Sequence, residues 1–176
     1  MDATPSTGSG WQGIAANAAR GFANGSLATL PMSAFMLAAQ RLGFMGRQPP
    51  RQIGEAWLHA VGLGHAPSPA KKAFGAALHL AFGGAAGVLY ALVARRRPRV
   101  GYAGATRPSR ARAALTGMAF GSLVWAASYK GWVPALGIMP PPSRDRPGRP
   151  ASMLAAHWIY GATLGARTAS GRLRTR

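Results

Sequence analysis

Two histidines in matching surroundings are the residues best placed for chemistry. His79 stands in His79-x-x-Phe82-Gly83-x-x-x-Gly87, and His157 in His157-x-x-Tyr160-Gly161-x-x-x-Gly165. An imidazole serves as metal ligand or proton relay near neutral pH, and one histidine from each of two helices is the ligand set of a bis-imidazole haem. It also has a plainer use, because a buried ring needs a hydrogen-bond partner on a neighbouring element. Residues i, i+3, i+4 and i+8 share a helical face, so each histidine lies beside its own two glycines. Those small faces suit close packing against Gly21, Asn24 and Gly25, or against Gly117 and Gly121. The expectation is a private partner for each ring and no haem or other cofactor, with His79 and His157 as the only haem candidates.

The remaining candidates are few. Glu55 and His59 lie i, i+4 on Ile53–Val61, whose opposite side carries Ile53, Trp57, Ala60 and Val61. This reads as a short amphipathic helix at an interface, anchored by Trp57. Glu55, His59 and His65 lack the spacing of a metal site, so no metal is expected. The chain has three acids (Asp2, Glu55, Asp145) and no cysteine. It contains no GxSxG, P-loop, dinucleotide fingerprint, paired carboxylates or HExxH. General acid–base and thiol chemistry therefore have almost no candidates, and the protein is not expected to be an enzyme.

The elements that carry these residues are marked by where charge is missing. Of 176 residues, 21 are Lys or Arg, giving a formal charge of +18, yet only 14% of the chain is charged and 48% is hydrophobic. A soluble domain carries roughly 25% charged residues of both signs. The uncharged runs are 20 residues between Arg20 and Arg41, 22 between Lys72 and Arg95, 17 between Arg112 and Lys130, and 17 between Arg149 and Arg167. The longest reaches ~33 Å as a helix, enough for a ~30 Å hydrocarbon layer. The shorter ones need flanking arginines to snorkel outward. The expected fold is all-α: a polytopic membrane protein of four transmembrane helices, with the short interfacial helix in its first connector. Residues 1–12 read as a disordered tail, 13–166 as one membrane domain, and 167–176 as a basic tail.

The two halves of that domain resemble each other. GFANGSL (Gly21, Gly25) recurs as GMAFGSL (Gly117, Gly121) at an offset of 96, and Leu42-Gly43-Phe44-Met45 recurs as Leu136-Gly137-Ile138-Met139 at 94. The histidine motifs recur at 78, which locates a 16-residue excess in the first connector, around Arg51 to His65. Repeat one spans about 20–94 and repeat two about 113–166, each a helical hairpin of the same orientation. Gly21, Gly25, Gly83, Gly87, Gly117, Gly121, Gly161 and Gly165 are the expected helix-packing positions, since lipid gives helices no hydrophobic reason to associate.

Basic residues set the topology. Twelve lie on the side holding both termini and the middle loop, and nine on the other, which places both termini in the cytoplasm. The loop 95–112, with Arg95, Arg96, Arg97 and Arg99, has one aromatic residue, Tyr102. It is expected to contact anionic lipid head groups rather than a specific nucleic acid.

Taken together, the stretches 25–56, 76–92, 131–150 and 155–165 resemble small bacterial inner-membrane proteins of the YagU-like kind. The resemblance implies a four-helix inner-membrane protein and assigns no activity or site. The expected function is that of a non-catalytic structural or interaction protein of the membrane, partnered by lipid, by a second copy or by another membrane protein. A small transporter or a pathway for ions or protons is the alternative, and a bis-histidine haem protein a more distant one.

Overall fold

The computed structural model describes residues 8–95 and 109–171, which are all-helical and contain no strand. The helices are α1 (Gly8–Arg41), α2 (Pro49–Ala60), α3 (Ser68–Arg95), α4 (Arg110–Trp125), α5 (Val133–Ala135) and α6 (Arg149–Gly171). A π-helical stretch, Ala126–Trp132, joins α4 to α5, and Pro142–Arg144 form a 3-10 turn before α6. Helix bounds run past the first charged residues: α1 begins at Gly8 and α6 ends at Gly171. Arginine is a good helix former, so charge marks where an apolar face stops rather than where a helix does. Most of the basic middle loop, residues 96–108, lies outside the described residues, as do 1–7 and 172–176.

Two helix pairs make up the bundle. In the first, α1 and α3 meet through glycine: a Cβ placed on Gly25 would strike the Gly83 carbonyl, and one on Gly87 the Gly21 carbonyl. In the second, Gly117 and Gly161 each face the other's carbonyl, Gly165 faces that of Ala113, and Gly121 that of His157. Side chains fasten the same seams. Asn17 donates to the Ala91 carbonyl (3.3 Å) and Ser26 to that of Leu80 (3.1 Å), while the Trp158 indole donates to the Ser122 hydroxyl (2.9 Å).

The Leu-Gly-x-Met segments end α1 and α5 with one geometry. At Gly43 (φ 85°), the Gly43 amide donates to the Gln40 carbonyl (3.0 Å) and the Phe44 amide to that of Ala39 (2.9 Å). At Gly137 (φ 68°), the Gly137 amide donates to Pro134 (3.0 Å) and the Ile138 amide to Val133 (3.1 Å). Both are Schellman caps, which require a residue that tolerates positive φ. Each turns the chain so that the following methionine, Met45 or Met139, points into the core.

The pairs join along α1 and α6, where Ala28, Met32 and Met36 bury against Met153, Ala156 and Leu164. Helices α3 and α4 do not pack closely. Rings reach across that second seam: Phe82 with Trp132 (6.1 Å between centroids) and Tyr90 with Phe120 (5.1 Å).

Outward faces are apolar. Phe22, Leu30 and Leu37 of α1, Leu89 and Val93 of α3, and Leu115 and Leu123 of α4 are all exposed. Two helices are long and apolar enough to cross a membrane, over Trp11–Arg41 and Ser68–Ala94. Only 33% and 28% of their most apolar stretches are buried inside the protein.

The close approach of backbones gives a direct test. Gly161→Ala and Gly25→Ala should each destabilise the protein by about 1–3 kcal/mol through overpacking. Gly13→Ala, where a Cβ meets nothing within 4 Å, should leave stability unchanged or raise it. Thermal unfolding in detergent, followed by circular dichroism, reads all three.

Candidate functional site

The glycine seams leave no room inside a pair, but between the pairs a cavity of about 540 Å³ opens. Met32 and Met36 of α1 form one wall, Met153, His157 and Tyr160 of α6 the next, and Leu78, His79, Phe82 and Ala86 of α3 the third. Val124, Ser128, Tyr129 and Trp132 close the fourth, and Pro49, Ile53 and Trp57 of α2 cover one end. Close packing therefore holds within each pair and not between them. A π turn is wider than an α turn and recurs at functional sites; here it carries Ser128, Tyr129 and Trp132 to the cavity.

The void has a readable origin. At the offset of 78, α6 residues Met153, Tyr160 and Leu164 match Gly75, Phe82 and Ala86 of α3. Leu164 and Met153 fill the seam with α1, whereas Ala86 and Gly75 are too small to fill the seam with α4. Gly75 is small because α2 lies on it: a Cβ there would meet the Pro50 carbonyl oxygen at 2.5 Å. The extra residues of the first connector thus form a helix that packs on α3 through Gly54 and Gly75 and turns Ile53 and Trp57 to the cavity.

Polar groups on these walls are few and mostly engaged. The Thr29 hydroxyl donates to the Gly25 carbonyl (2.9 Å) and that of Ser128 to Val124 (2.7 Å). Tyr160 donates across the pairs to the Gly83 carbonyl (2.6 Å), and Tyr129 to the Asp145 carboxylate (2.5 Å). His79 has a partner on α1, with Nδ1 3.4 Å from the Ser33 hydroxyl. His157, 5% exposed, places Nδ1 2.7 Å from the Met153 carbonyl of its own helix. A carbonyl only accepts, so Nδ1 carries the proton and Nε2 of the neutral ring holds a lone pair. Both imidazoles line the one cavity, each contributed by a different pair.

Beyond the cavity, at the connector end, sits a buried ionic cluster that sequence reasoning missed. Arg149 pairs with Asp145 (2.8 Å), with side chains 9% and 2% exposed. Its Nε also donates to the Met45 carbonyl (2.6 Å), 104 residues away, which ties the exit of α1 to the start of α6. The i, i+4 spacing of Asp145 and Arg149 at a helix start was the available signal. Two further polar side chains of the bundle are engaged elsewhere: Asn24 accepts from Arg167 (3.3 Å) and Ser122 from Trp158. Glu55 is held by Arg51 (2.8 Å) and Arg47 (2.5 Å), while His59 and His65 are exposed. No group of three His, Cys, Asp or Glu residues gathers among the described residues.

These two ionic groups respond differently to perturbation. Removing one partner of the buried pair, by Asp145→Asn or Arg149→Met, should cost about 3–5 kcal/mol. The double variant should cost less than the sum of the two, as a double-mutant cycle would measure. For Glu55, the hydrogen bond from Arg51 and the charge of Arg47 hold the carboxyl below the usual carboxylate range, against an opposing effect of burial. A lowered folded-state pKa adds stability above the unfolded value, and that stability is lost as pH falls through the folded value. Glu55→Gln should therefore flatten the acid limb of a stability–pH curve. The change should be small, because Arg47 is 63% exposed and water screens the pair.

No curated protein and no solved structure matches the chain, and neither comparison confirms the YagU-like resemblance. A family of unknown function, DUF6789, matches residues 15–174, nearly the whole length including both helix pairs and the cavity between them. The chain belongs to the DUF6789 family.

Proposed function

We propose that this chain is a non-catalytic protein of the bacterial inner membrane that crosses the bilayer four times and holds a lipophilic molecule between its two helix pairs. The observation that carries this reading is the place of the cavity. It lies along the one seam that helices do not close, between α3 and α4, under an outer surface of exposed leucine and phenylalanine. A cavity of this volume falls within the range of small-molecule sites. Left empty it would forfeit dispersion contacts with its walls, and an apolar entrant from the surrounding lipid would restore them.

Four crossings are supported by length as well as composition. The 23 residues of α6 reach ~35 Å, and α4 with the π stretch and α5 forms a helical run from Arg110 to Ala135, kinked at Gly131. Scaffolding by glycine contact remains part of the reading, as the frame that keeps the cavity in place. A polar solute or ion pathway is the weaker alternative, because neither Asp, Glu, Lys nor Arg lines the cavity.

Carbonate washing should leave the protein in the membrane pellet, and reporters fused after residues 104 and 145 should report cytoplasm and periplasm respectively. Recovery in the soluble fraction sinks the membrane reading; reversed reporters invert the topology. Native mass spectrometry of the purified protein should find one long-chain lipophile retained per chain. Ala86→Leu, which gives α3 the side chain that α6 has at the matching Leu164, should abolish that retention and raise thermal stability.

A further inference from the structure

We infer that the cavity selects a neutral lipophile with a hydroxyl head, whose O–H donates to Nε2 of His157; this rests on the lipophile-binding reading above. Three observations narrow the ligand. The seam between α3 and α4, bridged by the Phe82–Trp132 and Tyr90–Phe120 ring pairs, lies under an apolar exterior, so the entrant arrives from lipid. No cationic side chain lines the walls, so a carboxylate or phosphate would be left unpaired, at a cost that excludes fatty acids and haem propionates.

The third observation is the direction of the hydrogen bonds. The hydroxyl hydrogens of Thr29, Ser128, Tyr129 and Tyr160 are all committed to protein acceptors. Their oxygens and Nε2 of His157 remain as acceptors, and among the described residues no hydrogen bond reaches that nitrogen. Ring N–H groups are the donors that remain among the described lining residues: His79, in whichever tautomer its Ser33 contact permits, and the indoles of Trp57 and Trp132. Nε2 of His157 is thus a cavity acceptor that no protein donor reaches. A ligand with an O–H satisfies it, and one with only an ether or ester oxygen does not. The Met153 carbonyl fixes this polarity, since it holds the proton of His157 on Nδ1 and turns the lone pair the other way.

Two probes of nearly equal size separate the outcomes: 4-decylphenol and its methyl ether, titrated against the full-length protein in detergent and read by native mass spectrometry. The phenol should bind about tenfold more tightly, the worth of one buried hydrogen bond. His157→Leu should bring the two within about twofold while ether binding stays as in the wild type, which also shows that the variant is folded. Equal binding of both probes to the wild type overturns the hydroxyl selection and leaves the lipophile reading standing. Binding of neither overturns both. A Soret band from haem-supplemented protein that vanishes in His157→Leu overturns the proposal in favour of axial ligation.

Discussion

Backbone-to-backbone contact at glycine is the constraint on which everything else in this protein rests. Exposed Phe22, Leu30, Leu89 and Leu123 are as apolar as buried Met32 and Leu164, so apolar character alone does not tell a helix which neighbour to choose. What distinguishes the right neighbour is how closely it can approach. Gly25 against Gly83 and Gly117 against Gly161 bring helices together where any side chain would collide with a carbonyl. Once the two pairs are drawn tight in this way, the space left over is collected between them, and its shape is set by which larger residues fill it.

That leftover space shows how a near-repeat becomes a site. Were the two halves alike, α4 would close on α3 as α1 closes on α6. Leu164 and Met153 close one seam; Ala86 and Gly75, at the matching positions, leave the other ajar. Helix α2 both requires the small residue at 75 and caps the end of the opening with Ile53 and Trp57. The π stretch contributes the opposite wall. Difference between the halves, rather than what they share, makes the cavity.

Reading the sequence reaches the all-helical character through its four charge-free runs of 17 to 22 residues, lengths that suit a helix better than a strand. Glycine spacing is equally plain, but spacing alone leaves open which stripe meets which, and the structure pairs α3 with α1 and α6 with α4. The histidines stood out as a matched pair, whereas their common cavity depends on side-chain volumes three helices apart. Arg149 is the hardest case. The i, i+4 spacing from Asp145 points to the ion pair, but its burial also needs the carbonyl of Met45, an atom every residue carries. The π stretch is similarly silent, since Ala126–Trp132 has no composition that sets it apart from α-helix.

The distribution of helix contacts also fixes an order of assembly. Every close pairing but that of α1 with α6 lies within one half of the chain, separated from the other half by the basic loop. During synthesis, α1, α2 and α3 are complete before α4 has left the ribosome, with both of their glycine contacts available to form. The second half then repeats the process on its own and docks by one face, α6 onto α1. The longest closure, between the two halves, is met once, at that docking step, and the seam that stays open is the last surface the chain has left to close.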